Sequence, residues 1–247
     1  MGLYPGLETS QLSVPEWQAA AWCIDHTLLR PEANSAQVVQ LCHEAAQYGF
    51  ASVMVNPTWV SFCASHLRDS PVKTGVVIGF PLGASVTTAK RLEADECLRL
   101  GADELDMVMN IGALKSGDHA LVETDIRALA ETCHQAGAIV KVILECTLLT
   151  NKEKEVACEL SVAAGADFVK TSTGFSTGGA TLEDVTLMKR VVGDHCRVKA
   201  AGGIRNAADL ASMLMAGAER IGTSASVNIM RELGAPGAQA ATHSRGY

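Results

Sequence analysis

The sequence predicts an α/β protein, a closed (β/α)8 TIM barrel with a short N-terminal helix and a flexible C-terminal tail. Three observations carry this. Five times a helical stretch stops at a glycine and runs at once into an apolar strand: Gly49, Gly101, Gly137, Gly165 and Gly217. Glycine just past a helix takes the left-handed conformation that ends it. Three more apolar stretches bring the strands to eight, each followed by enough chain for one crossover helix. Finally, 247 residues is long enough for two small domains or for one such barrel of typical length.

The elements follow in order. Residues 1–12 read as an irregular arm. Ser13-Val14-Pro15-Glu16 is a capping box with proline near the first turn, so a helix is expected from there to about Ala21. Trp22–Thr27 reads as the first strand. Strands are then expected at Phe50–Val55, Lys73–Phe80, Ala102–Met109, Ala138–Leu144, Ala166–Ser172, Arg197–Gly202 and Ala218–Thr223. Thr150 with Glu153, Thr181 with Asp184, and Asn206 with Asp209 mark helix starts. The strands read as apolar on both faces, which implies a parallel sheet covered by helices. An open doubly-wound sheet is the competing fold. It calls for a Gly-rich turn after the first strand, where this chain has Leu28-Leu29-Arg30-Pro31. The expected organisation is one domain over 1–247: arm and helix to 20, barrel over 21–233, tail over 234–247.

Composition excludes several classes. An apolar fraction of 48% and a charged fraction of 19% suit a compact protein. The net charge of −7 argues against general nucleic-acid or anionic-membrane binding. The eight cysteines include no C-x-x-C pair and no clustered ligand set, so no metal or other cofactor is expected. They read as small buried hydrophobes. Met1–Gly6 has no signal-peptide character, and no apolar run reaches membrane-spanning length. The cytoplasm is the expected compartment.

Chemistry in a barrel belongs at the C-terminal ends of the strands. Three consecutive strands carry a lysine, Lys141, Lys170 and Lys199, each 29 positions after the last. At the same strand phase, their amines share one space. Burial and neighbouring cations both lower an amine's pKa, and a neutral amine attacks carbonyls to form a Schiff base. Lys170 sits mid-strand in Phe168-Val169-Lys170-Thr171. Asp106, an acid inside the fourth strand, is placed to move protons directly or through water. Asp25 is similarly placed in the first strand, and the adjacent His26 reads as a hydrogen-bonded structural residue. Two small-residue loops, Ala201-Gly202-Gly203-Ile204-Arg205 and Gly222-Thr223-Ser224-Ala225-Ser226, follow the last two strands, where barrels often bind phosphate.

The chain resembles the 2-deoxyribose-5-phosphate aldolase family over about residues 20–230. The resemblance rests on Ile24-Asp25-His26-Thr27-Leu28, Gly79-Phe80-Pro81-Leu82-Gly83, Gly101-Ala102-Asp103-Glu104-Leu105-Asp106, Val169–Phe175, Val198–Arg205 and Arg220–Ser224. It implies a metal-independent Schiff-base aldolase. Such an enzyme reversibly cleaves 2-deoxy-D-ribose 5-phosphate to D-glyceraldehyde 3-phosphate and acetaldehyde. It also implies a homo-oligomer, with a dimer favoured. Lys170 then resembles the Schiff-base lysine and Lys199 the neighbour that lowers its pKa. Asp106 resembles the general acid/base, acting with a water and Lys141. Gly202, Gly203, Arg205, Gly222, Ser224 and Thr173 fall where the family binds phosphate or substrate.

Three positions depart from or test the pattern. Met54 stands where members often carry cysteine. Phe175 stands where some carry a basic residue. The chain ends in Tyr247, as some members end in a tyrosine that reaches the active site, but at the end of a different tail sequence. Two other functions remain open: another Schiff-base lyase or transaldolase on a phosphorylated sugar, and a phosphate-binding barrel without catalysis. Acetaldehyde release separates the first from the aldolase, and Lys170→Ala separates the second.

Overall fold

The structure, a computed structural model, describes residues 17–236. The Ser13–Glu16 capping box, the arm before it and the tail beyond residue 236, with Tyr247, lie outside the described residues. Eight parallel strands close into one barrel in chain order. They are β1 (Ile24–Leu28), β2 (Ser52–Val55), β3 (Lys73–Ile78), β4 (Glu104–Val108), β5 (Ile139–Ile143), β6 (Phe168–Lys170), β7 (Arg197–Ala201) and β8 (Arg220–Thr223). The barrel closes through β1 and β8, where Asp25 stands opposite Gly222.

Helices alternate with the strands. A short α1 (Trp17–Ala21) precedes β1, and α2 (Ser35–Tyr48), α3 (Val60–His66) and α4 (Thr87–Arg99) follow β1, β2 and β3. After β4 come α5 (Ile111–Lys115) and α6 (His119–Gln135); after β5, α7 (Asn151–Ala163). Then α8 (Leu182–Val192), α9 (Ala207–Met215) and α10 (Ser226–Glu232) follow β6, β7 and β8. The five helix-stopping glycines all have left-handed φ, from +69° at Gly49 to +108° at Gly217. Thr150 and Glu153 form the expected capping box, and Thr181 and Asn206 cap α8 and α9. Asn34 and Gln37 form a further capping box at α2.

The strands are one to four residues shorter than expected, and β1 runs one residue past its expected end, to Leu28. In β6 the ladder stops at Lys170, and Thr171-Ser172-Thr173 begin the outgoing loop. In β3 it stops at Ile78, because Gly79 turns the chain with φ of +61°.

One expectation is corrected. The strands are consistently apolar on their outer faces alone. Val53, Val76, Leu105, Met107, Val140, Val142, Val169, Val198 and Ile221 join the core between strands and helices. The alternate residues face inward, and most are polar. Arg220 of β8 reaches Glu104 of β4, and Lys141 of β5 lies near Asp25 of β1. Such contacts run only through the barrel interior. A small apolar cluster, Leu29, Met54 and Val77 with Phe80 packed on it, fills the β1–β3 side.

Candidate active site

Strand phase brings the three lysines together. Lys170 lies opposite Lys199, while Lys141 lies opposite Phe168, one step deeper on the same face. Asp106 lies opposite Lys141 on the neighbouring strand. All four side chains converge. Asp106 Oδ2 accepts from Lys170 Nζ at 2.8 Å and from Lys199 Nζ at 2.6 Å, while Oδ1 accepts from Lys141 Nζ at 2.8 Å. One carboxylate is thus shared by all three amines.

Three interior residues beyond those complete the network. Asp25 accepts from Lys199 at 2.5 Å, Arg220 at 2.5 Å and Ser52 at 2.7 Å. Glu104 lies 2.7 Å from Lys141 and accepts from Arg220 at 2.8 Å. Glu104 and Arg220 were not singled out in the sequence. The available signal was spacing: Glu104 and Asp106 are two apart in one strand, so both face inward.

The network holds four cations (Lys141, Lys170, Lys199, Arg220) and three carboxylates (Asp25, Glu104, Asp106). One positive charge is in excess, and the least compensated cation is the one to lose its proton. Lys141 has three carboxylates within 3.7 Å and Lys199 has two. Lys170 has one, Asp106. Burial, opposed by Asp106 and helped by Lys199 and Lys141, brings the Lys170 amine down to about 8. Burial also opposes the charge on Lys141, but Asp106, Glu104 and Asp25 outweigh it and raise its pKa. Burial likewise works against ionised Asp106, yet the three lysines hold it well below the usual carboxylate range. Lys141 and Lys199 are 0% exposed and Lys170 is 3% exposed, so the amine with the lowered pKa is also the one that reaches the surface.

The loops after β5 to β8 frame the mouth. Glu145, left-handed at φ +57°, accepts from the Thr173 backbone N–H at 3.3 Å and from the Thr173 hydroxyl. Phe175 N–H in turn donates to Thr173 Oγ1 at 3.0 Å. Sequence reading missed Glu145, since nothing in Glu145-Cys146-Thr147 signals a left-handed residue. Gly202 and Gly203 both have positive φ, +90° and +82°. A Cβ on Gly202 would lie 2.9 Å from Gly179 Cα, so glycine lets the loops after β6 and β7 touch. Arg205 and Ser224 are exposed at this end. Gly222 lies inside β8, where a Cβ would come within 3.0 Å of Lys199 Cε; it makes room for that lysine rather than standing in the loop with Ser224. Across the mouth, Phe80 meets Phe175 edge-on with centroids 5.2 Å apart.

His26 bonds Ser226 at 3.0 Å and Glu44 at 2.8 Å, away from the lysines, as a structural histidine would. All eight cysteines are buried thiols. Among the described residues no group of three or more His, Cys, Asp or Glu is arranged to hold a metal ion, and no helix is long and apolar enough to cross a membrane.

Comparison with known proteins places the chain in a family. A family described as "DeoC/LacD family aldolase" matches residues 19–232. A deoxyribose-phosphate aldolase from Streptococcus sanguinis is 56% identical over 208 residues, covering 84% of this chain and 94% of that protein. One from Geobacillus sp. is 56% identical over 207 residues, covering 84% of this chain and 92% of that protein. The tetrameric deoxyribose phosphate aldolase of Aeropyrum pernix superposes with a TM-score of 0.82 at 36% identity, over 87% of this chain and 90% of that one. With a family match over residues 19–232 and relatives 56% identical over 84% of its length, the chain belongs to the DeoC/LacD family of aldolases.

Proposed function

We propose that this chain is a Schiff-base aldolase that reversibly cleaves 2-deoxy-D-ribose 5-phosphate to D-glyceraldehyde 3-phosphate and acetaldehyde. The observation that carries this reading is Lys170: a buried amine brought to about 8, bonded to one carboxylate that two other lysines share. Relatives named deoxyribose-phosphate aldolase at 56% identity support the substrate.

The neutral Lys170 amine adds to the C1 aldehyde of the open-chain sugar. The carbinolamine takes up one proton and loses water, giving a protonated imine; the later hydrolysis returns that proton. Asp106, ionised and beside Lys170, takes the C3 hydroxyl proton directly or through a water. The C2–C3 bond breaks, its electron pair flows into the iminium, and glyceraldehyde 3-phosphate leaves. The proton returns to C2 of the enamine, and hydrolysis of the imine frees acetaldehyde and Lys170. Lys141 and Lys199 keep Asp106 ionised and in place, and Lys199 helps to lower the Lys170 pKa. Gly202, Gly203, Arg205, Ser224 and Thr173 are assigned to the sugar phosphate: backbone N–H groups approach closely where glycines have no Cβ, and Arg205 adds charge. Gly222 is assigned to positioning Lys199. Tyr247 is the remaining catalytic candidate; unchanged turnover after its deletion would remove it.

We also infer a cytoplasmic, single-domain barrel acting as a homo-oligomer, with a dimer favoured. Eight reduced buried thiols suit a reducing compartment. Leu82, Val86 and Leu92 are exposed around the β3–α4 connection, a surface for a second copy. Sedimentation at micromolar concentration reads the assembly.

The deciding experiment is incubation with deoxyribose 5-phosphate and borohydride, followed by intact-mass analysis and peptide mapping. A reduced adduct on Lys170 with acetaldehyde released is expected. An adduct on Lys141 or Lys199 would overturn the assignment of roles. Folded protein with neither adduct nor acetaldehyde would leave only a phosphate-binding barrel.

A further inference from the structure

The barrel has a second mouth. A cavity of about 400 Å³ opens at its N-terminal end, where the strands begin. Arg197 and Arg220, the first residues of β7 and β8, reach it from the barrel side, and Trp22 and Lys73 stand at its margin. The register separates it from the lysine cluster: Arg197 pairs with Phe168, whereas Lys170 and Lys199 pair two residues further along.

The charges of this cavity do not cancel. Lys73 and Asp103 face each other at 3.8 Å. Glu104 is engaged by Arg220 and Lys141. Arg197 makes no ion pair among the described residues. Its guanidinium lies on the Phe168 ring, 4.0 Å from the centroid. Stacking occupies one face of the group and leaves its in-plane N–H donors, which fit a carboxylate two at a time. A half-buried cation without a counter-ion favours an anion locally, against the chain's net charge of −7. Asp103 and Glu104 in the same lining disfavour a dianion. The remaining walls are apolar: Phe50, Ile139 and the half-exposed Trp22. The volume falls in the range of small-molecule sites.

We propose that the N-terminal mouth of the barrel binds a small monocarboxylate carried on an apolar or aromatic body, with Arg197 holding the carboxylate and Trp22 and Phe50 flanking the body. The site shares no residue with the phosphate loops or with Lys170, but its floor residues Glu104 and Arg220 also belong to the charge network around Lys141 and Asp25.

The probe is 3-phenylpropionate, titrated calorimetrically into the full chain, with 3-phenylpropanamide as the neutral isostere. Saturable binding of the acid is expected, with the amide at least tenfold weaker. Arg197→Met keeps the packing on Phe168 and removes the charge, so it should weaken the acid at least tenfold. Arg197→Lys, which keeps the charge and loses the fork, should fall between. Arg205→Met, at the opposite mouth, should leave acid binding unchanged. Equal affinity for acid and amide, an unaltered constant in Arg197→Met, weakening by Arg205→Met instead, or no binding up to 10 mM would each overturn the proposal. Should Arg197→Met not fold, Arg197→Lys and Trp22→Ala, each expected to weaken the acid, decide it alone.

Discussion

Replacing Lys199 by methionine tests how the site makes its nucleophile. Lys170 and Lys199 donate to the same oxygen, Asp106 Oδ2, at 2.8 and 2.6 Å. Two donors on one oxygen stand roughly 4 Å apart, where like charges repel by about 4 kcal/mol at an effective dielectric near 20. Methionine removes that repulsion and leaves Asp106 with two lysines instead of three. Rearrangement and entering water offset part of the effect, so a rise of about 1–2 units in the Lys170 pKa is expected, from about 8 towards its ordinary value. In the proposed mechanism the nucleophile is the neutral amine, so kcat/KM rises with pH through the Lys170 pKa. Each unit of increase then costs about tenfold in neutral amine at fixed pH below it. At pH 7.5, kcat/KM for deoxyribose 5-phosphate should fall by about 10- to 100-fold and recover substantially by pH 10. The assay is a kcat/KM profile from pH 6 to 10.5 with acetaldehyde production coupled to its reduction. A uniform loss at every pH, with the acidic limb still near 8, would refute the electrostatic role and leave Lys199 a purely structural or proton-transferring group.

Lys170→Met should abolish turnover and borohydride adduct formation, yet stabilise the fold. The native pKa near 8 lies below the free value of 10.5, so Lys170 destabilises the native state fully below pH 8 and not at all above about 10.5. That difference corresponds to about 3 kcal/mol, read as a higher urea midpoint for the variant at pH 7; a lower midpoint would contradict it. Met54→Cys puts a thiol into the apolar cluster beside the mouth. Concentrated acetaldehyde should then inactivate faster, because a thiol adds to the unsaturated aldehyde formed by self-condensation; equal rapid loss in both proteins would count against it. Gly222→Ala sets a methyl 3.0 Å from Lys199 Cε and 3.1 Å from Ala201 Cβ. The expected result is a shifted acidic limb with KM little changed; a change in KM alone would return Gly222 to the phosphate site.

The barrel was legible because its punctuation is local. Glycine after five of the helices has one conformational reason to be there, and the capping residues have another. The lysines were legible because one repeat length separates them, so any fold that preserves the repeat stacks them. The rest of the interior was not. Arg220 and Glu104 lie 116 positions apart, and only closure of β8 onto β1 brings them together. Each of these charges sat in a strand that otherwise read as apolar, and the helix-facing residues dominated that impression. The cavity at the N-terminal mouth has no sequence signal at all, since it is bounded by the first residues of several strands.

The inward-facing charges also constrain how such a chain can diverge. Cohesion resides in the layer between strands and helices, so the lumen contributes little adhesive surface, and its occupants answer chiefly to electroneutrality. A neutral residue at Asp25 would leave Arg220 and Lys199 each with one carboxylate fewer, on strands β8 and β7. Drift inside the lumen should therefore proceed by paired exchanges between non-adjacent strands, while the outer shell drifts by volume alone.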